Sequence, residues 1–418
     1  MQDDLKLTET PGSTPAPTAA KTTPGQEVVD EQKLEAEFGP PVNADSDTPT
    51  PTKMEKVKKL IPKVKAPHGH RREFVLLIVA IVVLIAAAVA SFIILQKQPK
   101  ILTGTFIINQ KPYIPPTVPS TLTGLQVKAA VNDRPVTAVM IENSPDARPQ
   151  SGLDQAGVVF EALAEGGVTR FMALYQDTQP DYLGPVRSAR PYYIQWLLGF
   201  DAAYAHVGGS ADALSDIRTW HVKDMNQFYN ADYYQRISSR YAPHNVYTSI
   251  TQLNRLEAAK GYGKSNYTGF PRKKDAAAAK PNAATINVTM SGYYYDSMFK
   301  YNAKTNNYTR YQMGAVHTEL LKSGRLVPIT PKVVITMIIP EHAGALDATG
   351  AYYADYAAIG SGKVMIFQDG TIATGTWTKT ARTAQITFTD KTGAPIKLNA
   401  GQTWIIAVPN NVSNVTYR

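Results

Sequence analysis

The chain has 418 residues, of which 44% are hydrophobic and 9% aromatic, so it exceeds one typical domain and can form a sizeable core. It contains no cysteine, which excludes thiolate zinc sites, thiol nucleophiles, disulfides and lipid attachment to an N-terminal cysteine. Its net charge of +9 is uneven, because residues 1–52 carry three basic and ten acidic side chains whereas residues 96–418 carry 32 basic and 22 acidic ones.

The N-terminal segment, residues 1–52, has eight prolines and nine threonines among its acidic side chains and few large apolar residues. Such a segment buries too little surface to offset its ordering entropy. We therefore expect a disordered, Pro/Thr-rich acidic tail.

Residues 74–95 (FVLLIVAIVVLIAAAVASFIIL) form a run without charge, proline or glycine. The run is long enough to cross the hydrocarbon core of a bilayer as one helix, with its backbone groups paired internally. A buried core helix is usually shorter and interrupted by polar residues, and a signal peptide would begin nearer to residue 1. The sequence thus predicts a single transmembrane helix.

The charges on either side of this run predict its orientation. Eight basic residues precede it: Lys53, Lys56, Lys58, Lys59, Lys63, Lys65, Arg71 and Arg72. Only Lys97, Lys100 and Lys111 follow it before the folded part. The side of a membrane helix that is rich in Lys and Arg usually faces the cytoplasm. We therefore expect the N-terminus in the cytoplasm and residues 96–418 on the outer side of the cell membrane. The basic segment, residues 53–73, can rest on anionic lipid, so we expect no nucleic-acid partner.

The remaining chain is predicted to form an α+β structure held off the membrane by a Pro-rich spacer, residues 96–120. Residues 121–261 alternate strands and helices, which indicates a mixed α/β domain. Its predicted strands are Thr137–Ile141, Val158–Ala162, Thr169–Tyr175 and Ala202–Val207, and its predicted helices are Ala189–Phe200, Ala211–Trp220 with Ser210 as N-cap, and Ile250–Lys260.

An exposed connector, residues 262–283, is expected to lead to a β-rich domain, residues 284–418. The predicted strands there are Ile286–Met290, Tyr293–Tyr301, Tyr308–Met313, Lys332–Pro340, Lys363–Phe367, Thr371–Trp377, Gln385–Phe388 and Thr403–Val408. The dipeptide Asp369-Gly370 is the strongest hairpin signal in the chain.

Several separated motifs between residues 121 and 409 resemble the YerB family of bacterial envelope proteins, also called DUF3048. They are IENSPDARPQSGLDQAGVVFEALAEGGVTRFMALY, GPVRSARPYY, HVGGS, APHNVYTS, YTRYQMGAVHTE, GKVMIFQDGTIATGTW and LNAGQTWI. The resemblance implies an N-terminal and a C-terminal part outside the membrane, and it implies no reaction. Members of the family are lipoproteins, whereas this chain has no cysteine and is predicted to use a helix as its anchor.

Arg187 and Arg190 are the strongest candidates for contacting a ligand, because they precede a predicted helix whose N-terminus favours anions. The alternative is that they pair internally with Glu142, Glu161 or Glu165. His206 lies at the end of a predicted strand that leads into Gly208-Gly209-Ser210, and His244 lies in the motif Ala-Pro-His-Asn; each is either an acid or base or a satisfied imidazole.

Enzymatic sites are less well supported by the sequence. A Ser-His-Asp set requires Ser151 or Ser210, His206 or His244, and Asp154 or Asp212, and no Gly-x-Ser-x-Gly elbow accompanies them. Glu142, Glu161 and Glu165 allow paired carboxylates for glycoside cleavage. The spacing of His317, Glu319, Glu341 and His342 does not fit a metal site, and no phosphate-binding glycine motif occurs, so we expect no metal and no cofactor. Tyrosines in Tyr293–Tyr295 and similar groups are interpreted as half-buried strand packing rather than as platforms for sugars or peptides.

The sequence as a whole favours a single-pass envelope protein that binds an anionic cell-wall or surface ligand. The proposed contacts are Arg148, Arg187, Arg190 and His206, supported by Glu142, Glu165 and His244. One alternative is a hydrolase of wall glycan or peptide, with His206 or His244 as base. Another is a scaffold for other membrane proteins, which would present a large exposed apolar patch.

Overall fold

The structure is a computed structural model that describes residues 71–96, 116–346, 352–409 and 415–418. The predicted acidic tail and most of the basic segment and of the Pro-rich spacer lie outside the described residues. The chain divides into two compact units, Met1–Ile107 and Ile108–Arg418, which are described separately.

In the first unit, helix α1 spans Arg71–Gln96. Its residues from Val75 to Ile94 have a mean hydropathy of 3.2, which by length and composition is enough to cross a membrane. The side chains of residues 75–94 are exposed.

In the second unit, strands dominate the described residues. The first twelve are β1 Thr117–Pro119, β2 Gln126–Lys128, β3 Thr137–Glu142, β4 Val158–Leu163, β5 Thr169–Tyr175, β6 Ala203–His206, β7 Lys223–Asn226, β8 Gln235–Arg236, β9 Val246–Tyr247, β10 Arg272–Lys273, β11 Thr285–Val288 and β12 Ser297–Asn302. The others are β13 Asn307–Gln312, β14 Ala315–Val316, β15 Thr318–Leu320, β16 Leu326–Pro328, β17 Val333–Ile339, β18 Glu341–Leu346, β19 Tyr352–Tyr356, β20 Gly360–Gln368, β21 Thr371–Lys379, β22 Thr387–Thr389, β23 Leu398–Asn399, β24 Thr403–Pro409 and β25 Val415–Tyr417.

Among the described residues of this unit, three α-helices accompany the strands: α2 Pro191–Leu198, α3 Ala211–Thr219 and α4 Ile250–Ala259. Serine side chains cap two of them, as Ser210 Oγ accepts from the Ala213 amide at 3.4 Å and Ser249 Oγ accepts from the Gln252 amide at 3.2 Å. The three predicted helices, including the Ser210 cap, are therefore confirmed. Short 3-10 helices lie at Ala129–Asp133, Pro145–Ala147, Leu153–Gln155, Gln227–Tyr229 and Ala231–Tyr233.

A ten-stranded sheet organises the second unit, with the strand order β22-β21-β20-β17-β24-β4-β5-β3-β6-β7. Its middle is a parallel pairing of β24 with β4, in which Thr403 is opposite Val158 and Ile406 is opposite Glu161. Strands from both sides of the predicted connector thus share one sheet. The structure confirms an α+β fold that is rich in strands.

Opposite faces of this sheet carry different layers, because successive side chains of a strand alternate in direction. Phe160 of β4 stacks on Trp196 of helix α2, with ring centroids 5.4 Å apart. Its neighbour Glu161 contacts Arg310 of β13, which belongs to a second sheet of order β14-β13-β12-β11-β25. Helices therefore cover one face and a five-stranded sheet packs on the other.

The Glu161–Arg310 ion pair lies in the core between the two sheets. Neither side chain is exposed, and Arg310 Nη2 donates to Glu161 Oε1 at 2.7 Å. Trp404 Nε1 donates to the other carboxylate oxygen at 2.8 Å. Arg310 Nη1 lies 2.6 Å from His317 Nδ1, and because arginine can only donate, Nδ1 is the acceptor. His317 is therefore neutral, and its Nε2 atom donates to Gln150 Oε1 at 2.9 Å. Burial, followed by the charges of Arg310 and Arg148, lowers the pKa of His317 well below its usual value.

The predicted connector is held against this unit near residues 272–276. Lys273 Nζ donates to Asp369 Oδ2 at 2.5 Å, and the Ala276 amide donates to Asp369 Oδ1 at 3.2 Å. Asp369 and Gly370, with φ of +57° and +75°, form the tight turn between β20 and β21. The hairpin signal is therefore confirmed, and the aspartate of that turn also fastens the connector.

Candidate functional site

Most of the predicted site residues lie at one edge of the ten-stranded sheet. Strands β3, β6 and β7 are mutually parallel and end at Glu142, His206 and Asn226. Carboxyl ends of adjacent parallel strands meet at the same edge, which is where open α/β sheets bind ligands. The loops that follow these strands therefore surround one region.

Glu142 is the centre of the first cluster and is buried at the end of β3. Its Oε1 atom accepts a hydrogen bond from Ser144 Oγ at 2.9 Å and lies 3.3 Å from Arg187 Nε. Its Oε2 atom lies 2.9 Å from His244 Nδ1. Because an ionised carboxylate only accepts, His244 donates from Nδ1, and its Nε2 atom has no partner in the described part of the chain. The His244 side chain is 22% exposed, so this nitrogen is accessible from one side of the cluster.

Glu165 is the centre of the second cluster, where it pairs with both Arg170 and Arg190. Arg190 Nη2 lies 2.5 Å from Glu165 Oε2, and Arg190 Nη1 donates to the Ala189 carbonyl at 2.7 Å. Burial would raise the pKa of Glu165, but the charges of Arg170 and Arg190 outweigh it and lower the pKa to about 2. Arg190 is buried in this pairing, so of the two readings of Arg190 the geometry favours the internal ion pair.

The two clusters together contain three guanidinium groups and two carboxylates. Glu142 and Arg170 are directly opposite each other on β3 and β5, so the clusters share one face of the sheet. Arg187 is the most exposed of the three arginines, with 21% of its side chain accessible. Burial, which outweighs the neighbouring charge of Glu142, lowers the pKa of Arg187. The cluster therefore retains an excess positive charge, and Arg187 is where solvent can reach it.

Arg187 lines an open cleft of about 440 Å³. Gly208 and Gly209 before helix α3 form one wall, and Phe228 forms another together with Arg236, which is exposed. In the described residues the two terminal nitrogens of Arg187 have no hydrogen-bond partner, and the side chain of Arg236 donates one hydrogen bond, to Asn245 Oδ1 at 2.7 Å. Two guanidinium groups thus flank a cleft that also has an aromatic wall.

His206 lies under this cleft rather than in it. Its ring is fully buried, with Nε2 2.9 Å from Asp224 Oδ1 and Nδ1 2.7 Å from the Gly208 carbonyl. Burial would raise the pKa of Asp224, but the hydrogen bond and charge of His206 outweigh it and lower the pKa. His206 therefore positions the glycine loop, which agrees with the satisfied imidazole that the sequence allowed.

Arg148 lies on the other side of the loop that follows β3. Its Nε atom donates to Asn143 Oδ1 at 3.1 Å, and its Nη2 atom donates to the carbonyls of Asn143 and Tyr294 at 2.7 and 2.8 Å. Burial, with a contribution from the charge of Arg310, lowers the pKa of Arg148 to about 10. Arg148 thus joins this loop to the five-stranded sheet and does not line the cleft.

The structure does not assemble the Ser-His-Asp sets considered from the sequence. Ser151 Oγ donates to the Leu320 carbonyl at 2.6 Å, Ser210 caps helix α3, and Asp212 accepts from the Tyr353 hydroxyl at 2.6 Å. Glu142, Glu161 and Glu165 each pair with an arginine instead of with one another. Over the described ranges, no three His, Asp or Glu side chains are grouped closely enough to hold a metal ion.

Sequence reasoning missed Ser144, Arg236 and Phe228 at this site. Ser144 follows Glu142 by two residues at the end of a predicted strand, so its position was an available signal. Phe228 lies in the 3-10 helix Gln227–Tyr229 and Arg236 on the two-residue strand β8, and elements this short have no periodic pattern that predicts which side chains face the cleft.

Comparison with known proteins gives consistent matches over the second unit. Residues 122–263 match the DUF3048 N-terminal domain and residues 286–405 match the DUF3048 C-terminal domain, both described as a protein of unknown function. The chain is 32% identical over 312 residues to the putative lipoprotein YerB of Bacillus subtilis (strain 168), covering 72% of this chain and 90% of that protein. It is also similar to the crystal structure of the Bacillus subtilis YerB protein, with a TM-score of 0.63 and 29% identity over 72% of this chain and 99% of that one.

Proposed function

The chain belongs to the DUF3048 family, and from this membership we propose that it is an envelope protein anchored by helix α1, with residues 116–418 outside the cell membrane. The similar YerB protein is named a putative lipoprotein, which supports a location at the membrane surface. Helix α1 is the proposed anchor, since the sequence has no cysteine that could carry a lipid. The basic residues before α1 support a cytoplasmic N-terminus.

The absence of cysteine allows a direct test of this topology. Single cysteines in place of Ser13 and Lys322 would be labelled on intact cells with a membrane-impermeant maleimide. We expect Lys322→Cys to react at once and Ser13→Cys to react only after lysis. Reaction of Ser13→Cys on intact cells would contradict the orientation.

We further propose that the cleft beside Arg187 binds an anionic ligand, a carboxylate or phosphate group of a cell-wall or surface molecule. The observation that carries this proposal is the excess positive charge of the Glu142 and Glu165 clusters, exposed at Arg187 and faced by Arg236. A bound anion would provide the acceptors that the terminal nitrogens of Arg187 lack among the described residues. Arg190, Arg148 and His206 then act as positioning residues.

The test measures the affinity of the detergent-solubilised full chain for inorganic phosphate by isothermal titration calorimetry. We expect Arg187→Gln and Arg236→Gln each to weaken binding by about tenfold, because each removes a charge-assisted contact. Arg255→Gln is the matched control, since Arg255 is exposed on helix α4 and its side chain hydrogen-bonds, within the described part of the chain, to Gln252 alone. Unchanged affinity in both cleft variants would refute the proposal.

A hydrolase is the second candidate function, and the hydrogen bond between Glu142 and His244 favours it. A carboxylate on Nδ1 orients an imidazole so that Nε2 can take a proton from water. The Ser144 hydroxyl and the Arg187 guanidinium contact the same Glu142 carboxylate. A candidate base (His244), a hydroxyl and a cation are therefore close together.

This candidate is tested by release of soluble fragments from purified peptidoglycan. We expect a hydrolase to lose release in His244→Gln and to retain it in His221→Asn, which changes an exposed histidine elsewhere. Equal release from both variants would exclude His244 as the base.

A further inference from the structure

A second cleft, of about 270 Å³, lies on the five-stranded sheet beside Tyr293. Tyr311 and Met313 line it together with the polar side chains of Asn287 and Asp296. The sequence predicted Tyr293 at the start of a half-buried strand. In the structure strand β12 begins only at Ser297, and Tyr293 lies in the preceding turn with 65% of its surface exposed.

The turn that carries Tyr293 is fixed by several hydrogen bonds. The Tyr293 hydroxyl donates to the Met313 carbonyl at 2.8 Å, and its ring lies edge-on to that of Tyr294 at 5.8 Å between centroids. Asp296 Oδ1 accepts from the amides of Met290 and Gly292 at 2.8 and 3.1 Å. The result is a flat apolar ring that faces solvent and has little conformational entropy left to lose on binding.

This turn is connected by direct contacts to the loop of residues 143–148, which follows Glu142, the partner of Arg187. Arg148 donates both to the Tyr294 carbonyl and to Asn143, which lies between Glu142 and Ser144. Gln312 also donates to the Tyr294 carbonyl, at 3.0 Å. A chain of contacts thus runs from the Tyr293 turn through Arg148 and Asn143 to Glu142, the partner of Arg187. A single occupant of both clefts would be an extended molecule rather than a small ion.

We propose that the Tyr293 cleft binds a sugar ring of a glycan strand whose carboxylate or phosphate groups contact Arg187; the inference rests on the proposed anion site and names its ligand as an anionic polysaccharide. The C–H face of a pyranose ring packs on an exposed tyrosine, and its hydroxyls find polar partners in Asn287 and Asp296. Lys300, whose ammonium lies 4.8 Å from the Tyr311 ring centroid, lies next to this cleft and offsets the negative charge of Asp296 in its lining.

The test uses the full chain in detergent micelles with three probes. Glycan strands of peptidoglycan freed of peptide carry carboxylates, wall teichoic acid carries phosphates, and inorganic phosphate reports the anion site alone. We expect Tyr293→Ala to weaken binding of at least one polymer by about fivefold to tenfold and to leave phosphate affinity unchanged. Whichever polymer responds identifies the anion.

Tyr352→Ala is the matched control, because Tyr352 has the same 65% exposure but lies on strand β19. We expect it to bind every probe as the wild-type chain does. Two further variants guard against a folding defect: Tyr293→Phe keeps the ring and should retain polymer binding, whereas Tyr293→Leu keeps only apolar bulk and should lose it.

The outcomes separate this inference from the proposed function. Polymer binding that survives in Tyr293→Ala and Tyr293→Leu but falls in Arg187→Gln overturns the sugar cleft and leaves the anion site standing. Polymer and phosphate binding that survive in all of these variants overturn both.

Discussion

Arg310 and Glu161 are 149 residues apart in the chain, and their Nη2 and Oε1 atoms are 2.7 Å apart in the structure with neither side chain exposed. The pair joins the part that matches the N-terminal family domain to the part that matches the C-terminal one. Removing one partner leaves an uncompensated charge in the core. We therefore expect Arg310→Leu to lower the free energy of unfolding by about 3–5 kcal/mol, measured by urea denaturation.

The double variant Glu161→Leu/Arg310→Leu is the control for this prediction. It removes both charges, so it should be more stable than Arg310→Leu alone, although Trp404 Nε1 then loses its acceptor. A single variant as stable as the wild-type chain would show that the pair contributes nothing.

Glu257 on helix α4 predicts a pH-dependent stability. Burial raises its pKa to about 7, although the Thr137 hydroxyl at 2.7 Å and the charge of Lys223 partly oppose this. Between about pH 4.5 and pH 7 the Glu257 carboxyl thus keeps its proton in the folded chain but loses it in the unfolded chain. The contribution of Glu257 to the free energy of unfolding therefore falls as the pH rises through this range. Glu257→Gln should remove that fall and be more stable than the wild-type chain at pH 8 by up to ~3 kcal/mol.

The measurement is urea denaturation of the wild-type chain and Glu257→Gln at pH 5 and pH 8. The difference between the two chains is the relevant quantity, because other groups titrate in both. A difference that does not grow with pH would contradict the raised pKa.

Gly370 is required by the turn between β20 and β21. Its φ is +75°, and a Cβ atom there would lie 2.6 Å from Tyr301 Cε1. Gly370→Ala should therefore lower the melting temperature, with a loss of about 1–3 kcal/mol. Gly263→Ala is the matched control, since nothing lies within 4 Å of its added Cβ, and its effect should stay within about 0.5 kcal/mol.

Glu142→Gln separates binding from catalysis at the candidate site. The change removes the carboxylate that offsets Arg187, so the positive charge of the cluster rises and phosphate should bind more tightly. A hydrolase that depends on His244 would instead lose turnover, because the ring loses the charge of its partner on Nδ1. Phosphate titration and fragment release on the same preparation give the two readouts, with Glu257→Gln as the control carboxylate change.

Features that depend on a few neighbouring residues were predicted from the sequence. Ser210 caps helix α3 and Asp369-Gly370 turns the chain between β20 and β21, because the geometry of each depends on local backbone and side-chain chemistry. The long apolar run forms one helix for the same reason. Local signals misplaced Tyr293, since three adjacent tyrosines favour a strand whereas the hydrogen bonds of Asp296 impose a turn.

The pairing of charges was decided by the tertiary structure alone. From the sequence, Arg187 and Arg190 could either bind a ligand or pair internally with Glu142, Glu161 or Glu165. In the folded chain Arg190 pairs with Glu165 and Arg187 pairs with Glu142. His244, which is 102 residues from Glu142 in the chain, contacts the same Glu142 carboxylate. The periodicity of a strand indicates which face a side chain occupies. Its partner on that face depends on which strands are adjacent in the sheet. Here β24 pairs with β4, which brings together segments from opposite ends of the folded unit.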